Sequence, residues 1–444
     1  MKIKKMIIKL LEFLIHKYFI FFLKSFIYLK GSKNKLKQKT NKNSIAVINT
    51  FDQAGGAANL AFALTKEIMN LHDAKYFVKY KNANKPWIEK IIDFKSTVFS
   101  DLLVKEAKKS GWIEFNGLDA LNLLKNNFYQ TAKIVHLHNL HGDFFSPALF
   151  PYLLKNKNTI WTIHDEAFIT GHCSCTLGCE KWKMGCGNCP DLTIYPPVLK
   201  DNTKKVLKMK KKWIQQMNPT IITPSYWLEQ RVRIAYPELK NIKTIHNGID
   251  TSIYYPKNKI ESKKALNFPL DKKLILFVAE FATNNPFKGG DILRKIIQEN
   301  TNKNLVFITV GGKNESSFEN HLTFPFISNR EELAKLYNAC DVLLYPTQAD
   351  NLPLVVLESM ACGTPVIASK LGGIPEIITD HEDGFLINEY QTEKEFTEIL
   401  NNYLNLTKEQ QGTIEINATK KINNHFSLDK MVANYLKLYK EVSA

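Results

Sequence analysis

Short apolar runs alternate with amphipathic segments along residues 44–245. The runs have the continuous apolar character of strands that are buried on both faces: Ser44–Asn49, Ala132–Leu137, Thr159–Ile163, Thr220–Thr223 and Ile242–Ile245. Helical patterns lie between them, at Ala57 to about Leu71, Asn202–Gln216 and Ser225–Ile234. Strands that alternate with helices predict a parallel sheet with helices on both faces.

The same alternation restarts after a polar stretch at 251–271. It predicts strands at Lys273–Ala279, Asn304–Val310, Asp341–Tyr345 and Pro365–Ala368. It predicts helices at Gly290–Gln298, Leu333–Asn338 after the capping motif Asn329–Glu332, Pro353–Ala361, Ile374–Ile378 and from Glu393 onward. We therefore expect an α/β protein with two Rossmann-like doubly wound domains, at 44–250 and 251–425, facing across a ligand cleft. A hinge is expected near 247–270, and a final helix at 426–444 is expected to pack back on the N-terminal domain.

Residues 1–43 carry most of the basic charge. They hold twelve lysines against Glu12 as their only acid, which is +11 of the formal charge of +17. Little basicity is left for the body of the protein, so we expect no nucleic-acid partner. From Lys2 to Leu29 the lysines recur on one helical face and Phe, Leu and Ile on the other, while the longest apolar run, Tyr18–Leu23, is too short to span a bilayer. The pattern favours an amphipathic helix on an anionic membrane surface over a helix docked on the protein itself or a tilted span.

Composition excludes several classes of protein. The chain has 444 residues, 44% of them hydrophobic, which excludes wholesale disorder and a collagen-like repeat. The opening apolar stretch has no small-residue cleavage site after it, which argues against a signal peptide. Five of the seven cysteines lie within Cys173–Cys189, too locally for a disulfide framework. We expect a cytoplasmic protein, peripheral on the inner face of the cell membrane.

The strongest chemical motif is the segment from Asp350 to Ala368. Pro353 is expected in the first turn of a helix, which leaves the N–H groups of Asn351 and Leu352 free to face a phosphate. Glu358 lies further along this helix and can accept hydrogen bonds from sugar hydroxyls. Lys288 offers a cation for a diphosphate. Earlier in the chain, Gly55-Gly56 form a strand-to-helix turn that lets the backbone approach a ligand, although a plain tight turn explains the pair equally well.

These motifs resemble those of the GT-B family 4 retaining glycosyltransferases, whose signature is Glu, seven residues, Glu, then A-C-G-T-P-V. The resemblance covers about residues 44–440 and also includes Asn247–Asp250 and Gly372-Gly373. It implies that Lys288 holds the donor diphosphate, that Glu358 holds the ribose, and that Asp350 with the following backbone holds the transferred sugar. Two departures stand out. Asp350 replaces a Glu, and no Arg lies between Ala279 and Lys288.

Histidines end two predicted strands of the N-terminal half. The resemblance implies that His138 is the active-site histidine beside the transferred sugar, whereas His136 and His141 are more simply explained as polar residues at the sheet edge. His164 and Asp165 end the next strand and are candidates for the acceptor side. No Asp-x-Asp pair occurs in the chain, so Lys288 and helix dipoles are expected to neutralise the leaving group without a metal.

The cysteine-rich segment 171–190 resembles an insertion found in the colanic-acid and exopolysaccharide branch of the family. Cys173, Cys179, Cys186 and Cys189 are candidates for a structural zinc site, with Cys175 or His172 as substitutes. Packed reduced thiols and a local disulfide or redox role are the alternatives. Cys340 and Cys362 are expected in the core.

The resemblance implies a retaining hexosyltransferase that needs no cofactor for transfer. It would move a sugar from a UDP-sugar or GDP-sugar to a saccharide, or to a lipid-linked saccharide, in bacterial surface polysaccharide synthesis. A nucleotide-sugar epimerase of the same fold is one alternative, although it should need no membrane anchor. A degenerate, non-catalytic saccharide-binding subunit is the other alternative, which the two departures from the family pattern keep open.

Overall fold

The computed structural model describes residues 44–91, 97–114, 117–313, 316–318, 320–388 and 392–443. The helix predicted for the membrane surface lies in residues 1–43, outside the described residues. In the described part of the chain, none of the helices combines the length and the apolar character that crossing a bilayer requires.

The N-terminal sheet has seven strands, all parallel, in the order β3-β2-β1-β4-β5-β6-β7. Their bounds are β1 Ile45–Phe51, β2 Ala74–Tyr80, β3 Ile88–Lys90, β4 Ile134–Leu137, β5 Asn158–Thr162, β6 Thr220–Thr223 and β7 Ile242–Thr244. The central strand β1 is buried from Ile45 to Thr50, which agrees with its continuous apolar pattern.

The C-terminal sheet also has seven strands, in the order β10-β11-β9-β8-β12-β13-β14. Their bounds are β8 Lys273–Val278, β9 Leu305–Gly312, β10 Ser316–Phe318, β11 His321–Pro325, β12 Val342–Tyr345, β13 Val366–Ser369 and β14 Phe385–Ile387. All neighbours are parallel except β10 and β11. Two parallel Rossmann-like sheets confirm the α/β class.

Helices connect the strands and cover both sheets. In the N-terminal half they are α1 Gly56–Ile68, α2 Thr97–Ser110, α3 Asn127–Thr131, α4 Phe150–Leu153, α5 Thr203–Met217 and α6 Tyr226–Ala235. The rest are α7 Lys259–Ala265, α8 Gly290–Glu299, α9 Arg330–Ala339, α10 Leu354–Ala361, α11 Ile374–Ile377, α12 Glu393–Leu404, α13 Lys408–His425 and α14 Leu428–Ser443.

The predicted strands form within two residues of their expected bounds, but the hydrophobic pattern misses others. It misses β2, β3, β10, β11 and β14, which are short or carry polar residues. It also misses α7, which lies in the polar stretch predicted as a hinge. Asn258 caps this helix by accepting a hydrogen bond from the Glu261 N–H over 3.1 Å.

The last helix, α14, packs in the N-terminal half. Its residues Met431, Tyr435, Leu438 and Tyr439 are buried in one apolar cluster with β1, β2 and α1. The Tyr439 hydroxyl lies 2.8 Å from Nδ1 of His136, and Thr162 Oγ1 lies 2.8 Å from its Nε2. Burial lowers the pKa of His136 to about 3, so this imidazole is a neutral core residue.

Candidate active site

Every predicted site residue follows the carboxyl end of a strand or lies in the helix after it. Gly55 follows β1, His138 follows β4, and His164 follows β5. In the C-terminal half, Lys288 follows β8 and Asp350 follows β12. Ligands of open parallel sheets bind at the carboxyl ends of the strands, so both halves offer their ligand-binding edge.

Lys288 and Asp350 form an ion pair between Nζ and Oδ2. Lys288 also donates to the carbonyl oxygen of Ala349 over 3.3 Å. The Tyr345 hydroxyl donates to the same carboxylate oxygen, and Asp350 Oδ1 accepts from the N–H of Asn351 over 3.0 Å. The cation and the carboxylate expected for the donor therefore share one cluster.

This loop differs from the sequence expectation in two details. The N–H of Asn351 is engaged by Asp350 and is not free for a phosphate. Pro353 is the N-cap of α10, which begins at Leu354, so it does not lie in the first helical turn. Two features account for these differences. Pro353 has an extended backbone, with a ψ of 126°. The chain bends at Asn351 and Leu352, where Gly373 donates its N–H to the Asn351 carbonyl over 2.7 Å.

The glycine pair Gly372-Gly373 lets the next turn lie against this loop. Gly372 has a φ of 59°, and a Cβ there would lie 2.0 Å from the carbonyl oxygen of Asp350. A Cβ on Gly373 would lie 2.5 Å from the Asn351 oxygen. Only glycine therefore allows this packing.

Asn351 connects the two halves. Its Nδ2 donates to the carbonyl oxygen of His164 over 3.1 Å, and its Oδ1 accepts from the Ser225 hydroxyl. Beside it, Asn247 donates to the Leu352 carbonyl over 3.0 Å. The loop predicted for the donor thus lies against the strand end predicted for the acceptor.

Glu358 lies in α10 and accepts a hydrogen bond from the Tyr337 hydroxyl over 3.0 Å. Burial raises the pKa of Glu358 to about 7, while hydrogen bonds from Tyr337 and Tyr254 and the nearby charge of Arg330 lower it. The Glu358 carboxyl therefore gains or loses its proton near neutral pH. That makes the hydrogen-bonding capacity of Glu358 sensitive to pH.

Gly55 and Gly56 begin α1. Gly55 has a φ of 81°, and a Cβ there would meet no heavy atom within 4 Å, so it is the backbone conformation that favours glycine. A Cβ on Gly56 would lie 3.5 Å from Cδ1 of Leu354, the first residue of α10. The turn therefore faces the start of the helix that carries Glu358.

His138 is buried next to His164. Its Nδ1 lies 3.0 Å from His164 Nε2, and the Trp161 indole donates to its carbonyl oxygen over 3.0 Å. Burial and the neighbouring histidines lower the pKa of His138 well below its ordinary value, and burial lowers that of His164 to about 4. Nε2 of His138 is buried without a hydrogen-bond partner among the described residues. Two neutral imidazoles therefore line a pocket in the N-terminal half, and one of them has a ring nitrogen without a hydrogen-bond partner among the described residues.

Asp165 lies beside them and binds His141. His141 Nε2 lies 3.1 Å from Oδ2 of Asp165, and its Nδ1 lies 3.7 Å from Oε1 of Glu114. Although burial disfavours the charged form, these carboxylates raise the pKa of His141 to about 10. His141 is therefore a charged member of the pocket wall, which the sequence interpretation as an ordinary edge residue missed.

The structure lends no support to the predicted zinc site, which stays a prediction. Cys173, Cys179, Cys186 and Cys189 line one small pocket, but in the part of the chain that the structure describes no three His, Cys, Asp or Glu side chains could together hold a metal ion. Cys189 Sγ donates to the Asp191 carbonyl over 3.3 Å. Burial raises the pKa of the Cys173 thiol to about 12.

An ion pair and a cation–π contact secure the cysteine-rich segment instead. Arg231 pairs with buried Glu166 at 2.5 Å and donates to the Thr176 hydroxyl over 2.9 Å. Thr176 donates its N–H to Glu166 over 2.7 Å, and the guanidinium lies 4.4 Å from the Trp182 ring centre. Residues 171–190 are thereby fixed to α6.

Sequence reasoning missed the side chains that orient the candidate residues. Tyr345 binds Asp350, Tyr337 binds Glu358 and Ser225 binds Asn351. Tyr337 and Ser225 lie far from their partners in sequence. Tyr345 ends a strand whose apolar pattern indicates only a buried core. Only Tyr345, which ends β12 five residues before Asp350, is close enough to have been found from the pattern.

Comparisons with known proteins give matches to glycosyl transferases. The family described as "Glycosyl transferases group 1" matches residues 258–421. The putative colanic acid biosynthesis glycosyl transferase WcaC of Escherichia coli is 26% identical over 272 residues, which is 57% of this chain and 65% of that protein. The match thus spans just under two thirds of that relative.

Two further similarities extend over more of the chain. An uncharacterised 41.2 kDa protein in the cps region of Klebsiella pneumoniae is 26% identical over 328 residues, covering 72% of this chain and 82% of that protein. The structure of HepE from Anabaena in complex with UDP and glucose superposes with a TM-score of 0.62 at 15% identity, covering 90% of this chain and 99% of the other. The latter shows a shared fold.

Proposed function

Because this chain belongs to the group 1 glycosyltransferase family, we propose that it is a retaining glycosyltransferase of the GT-B type. It takes the glycosyl unit of a UDP-sugar or GDP-sugar and transfers it to a hydroxyl of a saccharide. The observation that supports this most directly is the hydrogen bond from Asn351 Nδ2 to the His164 carbonyl. It joins the donor loop to the acceptor strand at the carboxyl ends of both sheets.

The donor half of the reaction is assigned to the C-terminal residues. Lys288 neutralises charge that develops on the leaving diphosphate, and Asp350 accepts hydrogen bonds from the transferred sugar. Glu358 accepts hydrogen bonds from the ribose hydroxyls. Leu352, Gly55 and Gly56 border the same site and bring backbone close to the donor. Fixed charges aimed at developing charge are the main source of catalysis in such a site.

In the transfer step the bond between the anomeric carbon and the β-phosphate oxygen breaks, and a bond from that carbon to the acceptor oxygen forms on the same face. The acceptor proton moves to the departing phosphate oxygen. No strong protein base is required, which fits the low pKa values of His138 and His164. The unpartnered Nε2 of His138 is available to a hydroxyl of the transferred sugar.

The acceptor we propose is a lipid-linked saccharide of a bacterial surface polysaccharide. Two relatives support this class, since one is named for colanic acid biosynthesis and one for a cps region. The lysine-rich residues 1–43 support it independently, because they suit an anionic membrane surface on the cytoplasmic side.

Incubation of the purified protein with a panel of UDP- and GDP-sugars tests the proposal. We expect one donor to be consumed, with release of its nucleoside diphosphate. Glu358→Ala and Lys288→Ala should each slow this release at least 100-fold, whereas Lys295→Ala, a change at an exposed lysine of α8, should not. Isomerised nucleotide sugar without diphosphate release would indicate an epimerase. Binding without any turnover would indicate a saccharide-binding subunit.

A further inference from the structure

Four charged side chains form a continuous chain in the wall of the N-terminal pocket. Lys210 Nζ lies 2.9 Å from Glu114 Oε2, Glu114 Oε1 lies 3.7 Å from His141 Nδ1, and His141 Nε2 lies 3.1 Å from Asp165 Oδ2. All four residues line the pocket that also contains His138 and His164. We refer to Lys210, Glu114, His141 and Asp165 as the charge chain.

The inner end of the charge chain is costly to bury. The Lys210 side chain is 2% exposed and its ammonium also donates to the Ala167 carbonyl over 2.7 Å. Glu114 has a φ of 72°, a conformation that is rare for a residue with a side chain. A buried ion pair rarely stabilises a fold more than apolar residues of the same size would. Such a pair at a pocket wall therefore calls for a reason other than stability.

The outer end of the charge chain is the Asp165 carboxylate. Burial opposes its ionisation, but the charge of His141, its hydrogen bond and the Ala167 N–H lower the pKa of Asp165. The carboxylate accepts from His141 and from the Ala167 N–H over 2.9 Å. Two oxygens offer about four acceptor positions, so capacity is left for a ligand.

We propose that Glu114, Lys210 and His141 are positioning residues that hold the Asp165 carboxylate against a hydroxyl of the acceptor saccharide. The inference rests on the proposed function, because it assigns Asp165 to the acceptor. A hydroxyl that donates to an ionised carboxylate forms a short, charge-assisted hydrogen bond, which orients the acceptor oxygen. Lys210 acts through Glu114, and Glu114 acts through His141.

The test compares two products of the same enzyme. Free sugar reports hydrolysis of the donor by water, and octyl glycoside product reports transfer to a saccharide hydroxyl. The acceptors are the octyl glycosides of glucose, galactose, mannose and N-acetylglucosamine, offered with the donor that the wild-type protein consumes. The variants are Glu114→Gln and Lys210→Met, which remove charge and nearly keep shape. We expect the ratio of transfer to hydrolysis to fall at least tenfold in each, through a higher KM for the glycoside.

A double variant separates positioning from folding. Lys210→Met alone removes the nearer of the two cations beside buried Glu114 and leaves His141 at 3.7 Å, so it can destabilise the protein. Glu114→Gln/Lys210→Met leaves no unpaired charge between them and should fold, but it still deprives His141 of a carboxylate. We expect its ratio of transfer to hydrolysis to stay low. Recovery of the wild-type ratio in the double variant would overturn the proposal, because the pair would then serve the fold alone.

Lys263→Met provides a matched control. Lys263 is 6% exposed, lies 3.5 Å from Asp341 and donates to a backbone carbonyl over 2.7 Å, much as Lys210 does. It lies in α7 of the C-terminal half. We expect this variant to be destabilised with an unchanged product ratio. A wild-type protein that hydrolyses donor but glycosylates none of the four glycosides would also overturn the inference, whereas a protein that consumes no donor would contradict the proposed function itself.

Discussion

The Nζ atom of Lys288 contacts the Oδ2 atom of Asp350, so the cation and the carboxylate predicted for the donor form one ion pair. Changing either residue therefore also alters the charge of the other's surroundings. Residues that interact directly show non-additive effects when both are replaced.

We expect Lys288→Ala to reduce kcat/KM for the donor at least 100-fold, which corresponds to about 2.7 kcal/mol of transition-state stabilisation. Asp350→Asn should also be impaired, because the sugar loses its charged acceptor. In the double variant, the fold-reduction of kcat/KM should be smaller than the product of the fold-reductions in the two single variants. Steady-state kinetics on all three variants measure this, and a fully multiplicative loss would contradict direct coupling of the pair.

Glu358 should impose a pH dependence on donor use. Its pKa near 7 means that the ionised fraction falls about tenfold between pH 8 and pH 6. A carboxylate accepts hydrogen bonds from ribose hydroxyls better than the neutral acid does. We therefore expect kcat/KM for the donor to fall as the pH is lowered from 8 to 6. His164, with a pKa near 4, and His141, near 10, do not titrate there. Glu358→Gln should be slower with a flat profile, and a break near pH 7 that survives in this variant would assign the titration elsewhere.

Removal of metal ions should leave transfer intact. The chain has no Asp-x-Asp pair to bridge a diphosphate through a metal, and Lys288 supplies a positive charge at the donor loop. We expect kcat/KM to stay within twofold after dialysis against a chelator. A loss that added Mg²⁺ or Mn²⁺ restores would show that the diphosphate needs a cation beyond Lys288.

Strands and helices with continuous or periodic apolar patterns could be predicted closely. Thr220–Thr223 and the start of α8 at Gly290 agree with the structure because burial on both faces and a glycine turn leave local signals. Strand β3 has only three residues, Ile88–Lys90, and it forms by parallel pairing with the preceding strand β2. Such pairing leaves no local pattern.

The site could be predicted residue by residue but not as a network. Asp350, Glu358 and Lys288 stand out through their motifs and the family resemblance, and their roles stay predictions. The charge on His141 depends on Glu114 and Asp165, and these three residues come from three different segments of the chain. The spacing of the cysteines predicts a zinc site that the structure does not support, since among the described residues no three His, Cys, Asp or Glu side chains are arranged to hold a metal.

Deletion of residues 1–43 tests the membrane assignment. The segment carries +11 of the formal charge, while the first strand of the sheet begins at Ile45. We expect the truncated protein to keep its activity on a soluble glycoside and to lose binding to anionic vesicles in flotation assays. Vesicle binding by the full chain should weaken in high salt, because salt screens the lysine charges. The share of the binding that comes from buried apolar side chains should remain. Equal flotation of both proteins would contradict the assignment, and an unfolded truncated protein would indicate a docked helix.

The charge on His141 should appear in the pH dependence of stability. In the unfolded chain the His141 imidazolium loses its proton near pH 6.5. In the folded protein the pKa of His141 is about 10, so the proton stays bound up to that pH. The stabilisation is therefore fully present below pH 6.5, declines as the pH rises, and is lost above about pH 10. Urea titrations from pH 6 to pH 10 should show the largest difference in unfolding free energy between wild type and His141→Gln at pH 6, and a shrinking difference above it. His381→Gln, which removes an exposed histidine, is the control variant measured alongside. A difference for His141→Gln that is constant across this range would mean that the imidazole is neutral in the folded protein, and that Asp165 is not held by an imidazolium.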